Sequence, residues 1–137
     1  MGARPSRVVP LVGGALLLAA LLLVALPVGY YLYLKRVASQ KARVLGVEWN
    51  PSHTCSVTTY KPYLGENSVR SRFFYLFSSR AFFRVHDEQG MLLRSSEWLL
   101  FQNEAADEPP HWAGDGQVVY PTASGYEGWS LPECTRD

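Results

Sequence analysis

Acidic residues are missing from the first 43 positions of this 137-residue chain, and charge of either sign is missing from residues 8–34. Cysteine is scarce too, with Cys55 and Cys134 the only two. There is no Cys-x-x-Cys, no His-Glu-x-x-His, no Gly-x-Ser-x-Gly and no glycine-rich phosphate loop. Those gaps remove the motif-level grounds for dithiol redox, zinc hydrolase, serine hydrolase and nucleotide chemistry. The histidines, His53, His86 and His111, are too scattered to form the close ligand pairs of a structural zinc site. His86-Asp87 opens a turn, where an aspartate caps backbone amides without any catalytic role. Neither a cofactor, a metal nor a catalytic residue is expected.

The basic charge is just as uneven. Arg4, Arg7, Lys35, Arg36, Lys41 and Arg43 bracket the uncharged run, whereas residues 44–137 hold seven basic and twelve acidic residues. Nucleic-acid binders concentrate cations on their folded part, because phosphate neutralisation supplies most of their affinity. This chain does the reverse, so nucleic acid is not an expected partner.

What is present is a long apolar run. Residues 8–34 span 27 positions, or about 40 Å as a helix, against a hydrocarbon core of about 30 Å. Residues 15–26 are only Ala, Leu and Val. A domain this small cannot cover such a surface on every side, which leaves lipid as its solvent. Tyr30, Tyr31 and Tyr33 then precede Lys35 and Arg36, the order of rings and cations found at a membrane interface. The run is too long for a cleaved signal peptide. No cysteine follows it closely enough for lipid attachment, and Met1-Gly2 with Ser6 matches only the loose myristoylation pattern. The expected organisation is a short tail over 1–7, a transmembrane helix over 8–34, a basic juxtamembrane stalk over 35–43 and a soluble β-rich domain over 44–137.

Cations flank both ends of the run, so the positive-inside rule is nearly balanced. The cysteines favour a side. Cys55 and Cys134 lie at opposite ends of the soluble part, placed to staple it, and disulfides persist in oxidising compartments. A bridge between them and an extracytoplasmic domain are expected together.

The soluble part changes period. Residues 44–49 and 54–60 are rich in β-branched and aromatic side chains and are separated by Asn50-Pro51-Ser52, which predicts two strands and a turn. Residues 61–71 read as loop. Phe73, Tyr75, Phe77, Ala81, Phe83 and Val85 alternate with a mixed face, predicting a long strand with a break at Ser78-Ser79. A turn through Gly90 returns the chain at 91–94, and 97–102 is a further strand or short helix. Residues 104–116 read as acidic loop, and 117–120 with 128–131 as a last hairpin. Six or seven short strands imply a small antiparallel β-sandwich or curled sheet.

Two surfaces carry the functional expectations. Arg72, Phe74, Arg80, Phe82 and Arg84 fall on the even face of the predicted strand, the Arg and aromatic mixture that protein interfaces use as anchors. Trp112, Tyr120, Tyr126 and Trp129 interleave with turn residues, as in sugar-binding grooves and also in packed hairpins.

One further feature is a likeness. Residues 80–85 leading to Asp87 and Gly90, Ser96-Glu97-Trp98, Tyr120-Pro121 and the run 125–134 resemble small single-pass inner-membrane proteins of Gram-negative bacteria with no assigned activity. The resemblance implies an inner-membrane anchor with a periplasmic domain and transfers no functional residue. The leading expectation is a non-enzymatic module that recognises another envelope protein, as a toxin neutraliser or accessory subunit. The alternative is a carbohydrate-binding or hydrolytic domain acting through residues 111–129.

Overall fold

A stretch of Ala, Leu and Val can satisfy its backbone in an apolar solvent only as a helix or a closed barrel, and one segment alone can form only the helix. In the computed structural model, which describes residues 8–97 and 104–135, helix α1 runs Val8–Gln40. Every side chain from position 12 to position 30 is exposed, and the helix is long and apolar enough to cross a membrane. The chain divides after Tyr33 into this helical unit and a folded unit.

The folded unit begins inside α1. Leu34, Lys35 and Ala38 are buried, because spacing of three to four residues puts them on one side of the last two helical turns. The expected stalk over 35–43 is therefore part of the folded unit, and strand β1 (Arg43–Trp49) begins at its last residue. Next come β2 (Cys55–Lys61), helix α2 (Val69–Tyr75), β3 (Phe82–Asp87) and β4 (Leu92–Ser95). Strands β1 to β4 form one antiparallel sheet in chain order. The chain then forms β5 (His111–Trp112), β6 (Gln117–Thr122) and β7 (Gly125–Ser130), a second antiparallel sheet also in chain order, followed by a short 3-10 turn at Pro132–Cys134. Together these make a small mostly β domain behind one long apolar helix. The run 97–102, expected as an element of its own, lies outside the described residues from position 98 onward.

The core forms between the two sheets. Val57 is opposite Val85 in the β2–β3 register, and Thr59 is opposite Phe83. Cys55, Val57, Phe83 and Val85 meet Val118, Tyr120, Leu131 and Cys134 in one buried cluster. Phe83, Val57 and Val85 are each 0% exposed. The opposite face of the first sheet is also covered. Tyr60 and Phe82 are register partners, their rings stack with centroids 5.1 Å apart, and a small cavity there is bounded by Lys35, Ala38, Phe74 and Phe82. Cover on both faces explains why the even positions of β3 are not simply polar.

The predicted strand over 73–85 is corrected. Its first part is helix α2, and only Phe82–Asp87 is strand. Residues 73–77 are apolar at every position, so alternation carries no information there. The deciding signal is a cap: the Ser68 hydroxyl accepts a hydrogen bond from the Ser71 N–H at 3.1 Å and starts the helix. The stretch 104–116, expected as loop, contributes β5 and a bridge from Glu104 to Thr122. The last hairpin is tighter than expected: Pro121 pairs with Tyr126 and Thr122 with Gly125, leaving a turn of Ala123 and Ser124.

One glycine in this hairpin has no spare room. A Cβ on Gly128 would stand 2.4 Å from the Val118 carbonyl oxygen, whereas one on Gly46 meets nothing within 4 Å. Gly128→Ala is expected to lower stability by about 1–3 kcal/mol through overpacking. Gly46→Ala serves as the control, with thermal unfolding as the measurement; equal melting temperatures would contradict the close approach.

Candidate binding surface

The bridge between Cys55 and Cys134 is present, with Cα atoms 5.6 Å apart. It ties the start of β2 to the C-terminal turn. Asn50, 1% exposed, reinforces it: its Oδ1 accepts from the Cys55 N–H at 3.0 Å, and its Nδ2 donates to the Cys134 carbonyl at 3.3 Å. Sequence reading took Asn50 for an ordinary turn residue. Contacts 65 and 84 positions away along the chain show otherwise.

The proposed arginine and phenylalanine face does not exist as one strand surface. Arg72 and Phe74 belong to α2, and Phe74 and Phe82 are each 2% exposed. Arg84 is engaged inside the domain. Its Nε donates to Glu97 Oε2 at 3.0 Å and its Nη2 to Ser39 Oγ at 2.8 Å, while its guanidinium lies 4.8 Å from the Tyr60 ring centre. Ser39 in turn donates to Glu97 at 3.0 Å. This network clamps the end of α1 onto β3, and Glu97, its acceptor, had no signal in sequence spacing. Burial pushes the nearby Glu104 carboxyl above its usual range, against hydrogen bonds from Ser79 and Ser96 that oppose the shift. Of the five residues, Arg72 and Arg80 remain exposed.

The aromatic region is mostly packing. Tyr120 is 2% exposed and contacts Phe83 and Trp129 with ring centres 4.9 Å and 4.7 Å away. Burial pushes its phenol far above the ordinary tyrosine range. Trp112 and Trp129 pack against the core cluster, and the Trp112 indole N–H donates to the Glu48 carbonyl at 3.0 Å. Tyr126 alone is exposed, and its hydroxyl donates to Glu108. Three of these four residues thus pack in or against the core, and only Tyr126 faces outward.

Open concavity lies instead around α2. A cleft of about 560 Å³ is bounded by Arg43, Tyr63, Glu66 and Arg72. A second, of about 740 Å³, is bounded by Leu45, Leu76, Phe77, Arg80 and Asp107. Lys61 and Tyr75 border both. The Tyr75 hydroxyl donates to the Pro62 carbonyl at 3.0 Å, which fixes the ring between the clefts. Burial raises its pKa, although Arg80 opposes the shift, so the phenol stays protonated. Arg43 stacks over Tyr63 with its guanidinium carbon 4.4 Å from the ring centre. Among the described residues no group of three or more His, Cys, Asp or Glu is placed to hold a metal ion. The chemistry on offer around α2 is cation and apolar contact, with Glu66 in the first cleft and Asp107 in the second as exposed carboxylates.

No family model, curated protein or solved structure matches this chain.

Proposed function

We propose that this protein is a membrane-anchored, non-enzymatic binding module whose domain stands in the periplasm and recognises another envelope protein. The anchor reading rests on the exposed apolar length of α1. The compartment reading rests on the disulfide, which a reducing cytosol does not maintain. The single observation that carries recognition of a protein is β1. It is the first strand of its sheet, without a second strand neighbour among the described residues. Val44, Leu45, Val47 and Trp49 on it are 56%, 52%, 45% and 46% exposed. An edge strand with exposed apolar side chains is a ready template for an added strand, the backbone giving affinity and the side chains specificity. At its far end the Glu48 carbonyl is already taken by Trp112, so added pairing belongs to residues 43–47. The carbohydrate-binding alternative finds less support, since its rings are packed into the domain.

Two measurements check the two halves of this reading. Alkaline phosphatase fused after Asp137 is expected to be active; activity only of a cytoplasmic reporter at that position would reverse the compartment. Affinity capture of the full chain in mild detergent is expected to recover a stoichiometric protein, and Val44→Lys with Val47→Lys is expected to lose it while keeping the melting temperature. Equal recovery by both chains would remove β1 as the recognition edge.

A further inference from the structure

The surface around α2 has a composition that strand addition at β1 does not use. Val69, Leu76 and Phe77 are 83%, 73% and 42% exposed. Residues 61–80 hold four basic side chains (Lys61, Arg70, Arg72 and Arg80) against one acidic residue, Glu66. Residues 81–137 show the opposite balance, with three basic and ten acidic residues. Exposed apolar side chains and net positive charge in sequence therefore coincide at this element, with Asp107 the exposed acidic residue that borders the Arg80 cleft from another segment.

That element lies beside the end of the apolar run. The Tyr63 N–H donates to the Ala38 carbonyl at 3.4 Å, and Phe74 of α2 shares a cavity lining with Lys35 and Ala38. Along a helix, Ala38 is only about 6 Å beyond Leu34, the last residue of the uncharged run. The membrane anchor of the preceding reading thus tethers α2 by a short covalent connection to the end of the apolar run. Interfacial helices present this combination, with apolar side chains entering the headgroup and acyl boundary and flanking cations meeting anionic lipid.

We propose that α2 and its flanks form a lipid-docking surface for the anionic bilayer leaflet next to the domain. Leu76 and Phe77 enter the headgroup layer, and Arg72 and Arg80 meet lipid phosphates. Docking holds the domain against the membrane and leaves β1 to present its edge to a partner. The inference rests on the anchor part of the proposed function and not on the identity of any partner.

The test uses the full chain with its disulfide intact and an environment-sensitive fluorophore on Leu76→Cys, attached without reductant. The probe is reconstituted in vesicles of phosphatidylcholine with and without phosphatidylglycerol, and flotation reports anchorage separately. Floating chains are expected to show brighter, blue-shifted emission in the anionic vesicles only, weakened by salt. Each arginine near an anionic surface shifts the ratio of inserted to free probe by roughly fivefold, so Arg72→Glu with Arg80→Glu is expected to lower it by about 30-fold or more. Gln89→Ala, in the exposed turn between β3 and β4, serves as the control for the labelled chain. Chains that float with emission insensitive to phosphatidylglycerol, whether the probe is wet or buried against protein, overturn the docking surface. Chains that fail to float overturn the anchor on which it rests.

Discussion

Cys55→Ala with Cys134→Ala is expected to lower the stability of the domain by about 4 kcal/mol, and its melting temperature by roughly 20 °C. The bridge spans 79 positions. In the chain-entropy account, closing so long a loop removes more freedom from the unfolded chain than closing a short one. Both cysteines are also 0% exposed in the core, so their truncation adds a packing loss. Alanine is preferred to serine here because a hydroxyl buried in that cluster would need a partner of its own. The C-terminal turn is the segment most affected, since its remaining ties are the bonds from Asn50 and Thr54 to the Cys134 carbonyl and an exposed ion pair between Glu133 and Arg94. Thermal unfolding of the full chain in detergent, with and without reductant, measures the loss. Thiol alkylation of the unreduced, denatured chain is expected to label neither cysteine, and labelling of both would refute the bridge.

Arg84→Glu is expected to destabilise the domain by about 3 kcal/mol, whereas Arg80→Glu stays within about 0.5 kcal/mol of the parent. The two arginines are four positions apart with similar sequence surroundings, yet their environments differ. Glu97 is only 7% exposed at its side chain and Arg84 is 23% exposed, so reversal leaves a buried carboxylate facing another and removes the donor to Ser39 as well. Arg80 is exposed at the rim of a cleft. Unfolding followed by tryptophan fluorescence separates the cases. Equal, small effects for both variants would mean that the clamp between α1 and β3 contributes little to stability.

The contrast between these arginines shows where sequence reading stopped. A period of two places residues 80, 82 and 84 on the same side of a strand, but does not say whether that side is covered. It is covered by the last turns of α1 and by Phe74. The covering segment was itself read as a stalk, because Lys35 and Arg36 look like interfacial cations and the burial of Lys35 depends on what folds back over it. Similarly, α2 was hidden in an unbroken apolar run and is defined by one serine cap. The aromatic stretch 112–129 reads better as core than as groove, and the second sheet places Tyr120 against Phe83.

The sequence by itself determined the long apolar helix, the mostly antiparallel β character of the rest, the turns at residues 50–54 and through Gly90, and the pairing of Cys55 with Cys134. Those features follow from local causes: uninterrupted apolar length, β-branched and aromatic runs between turn residues, and the fact that two cysteines permit one intramolecular bridge. Tertiary structure alone decided which arginines are structural, where the open clefts lie and that β1 and the flank of α2 carry exposed apolar side chains. Those properties depend on which distant segments cover each face, and coverage arises only when the two sheets and the end of α1 pack together.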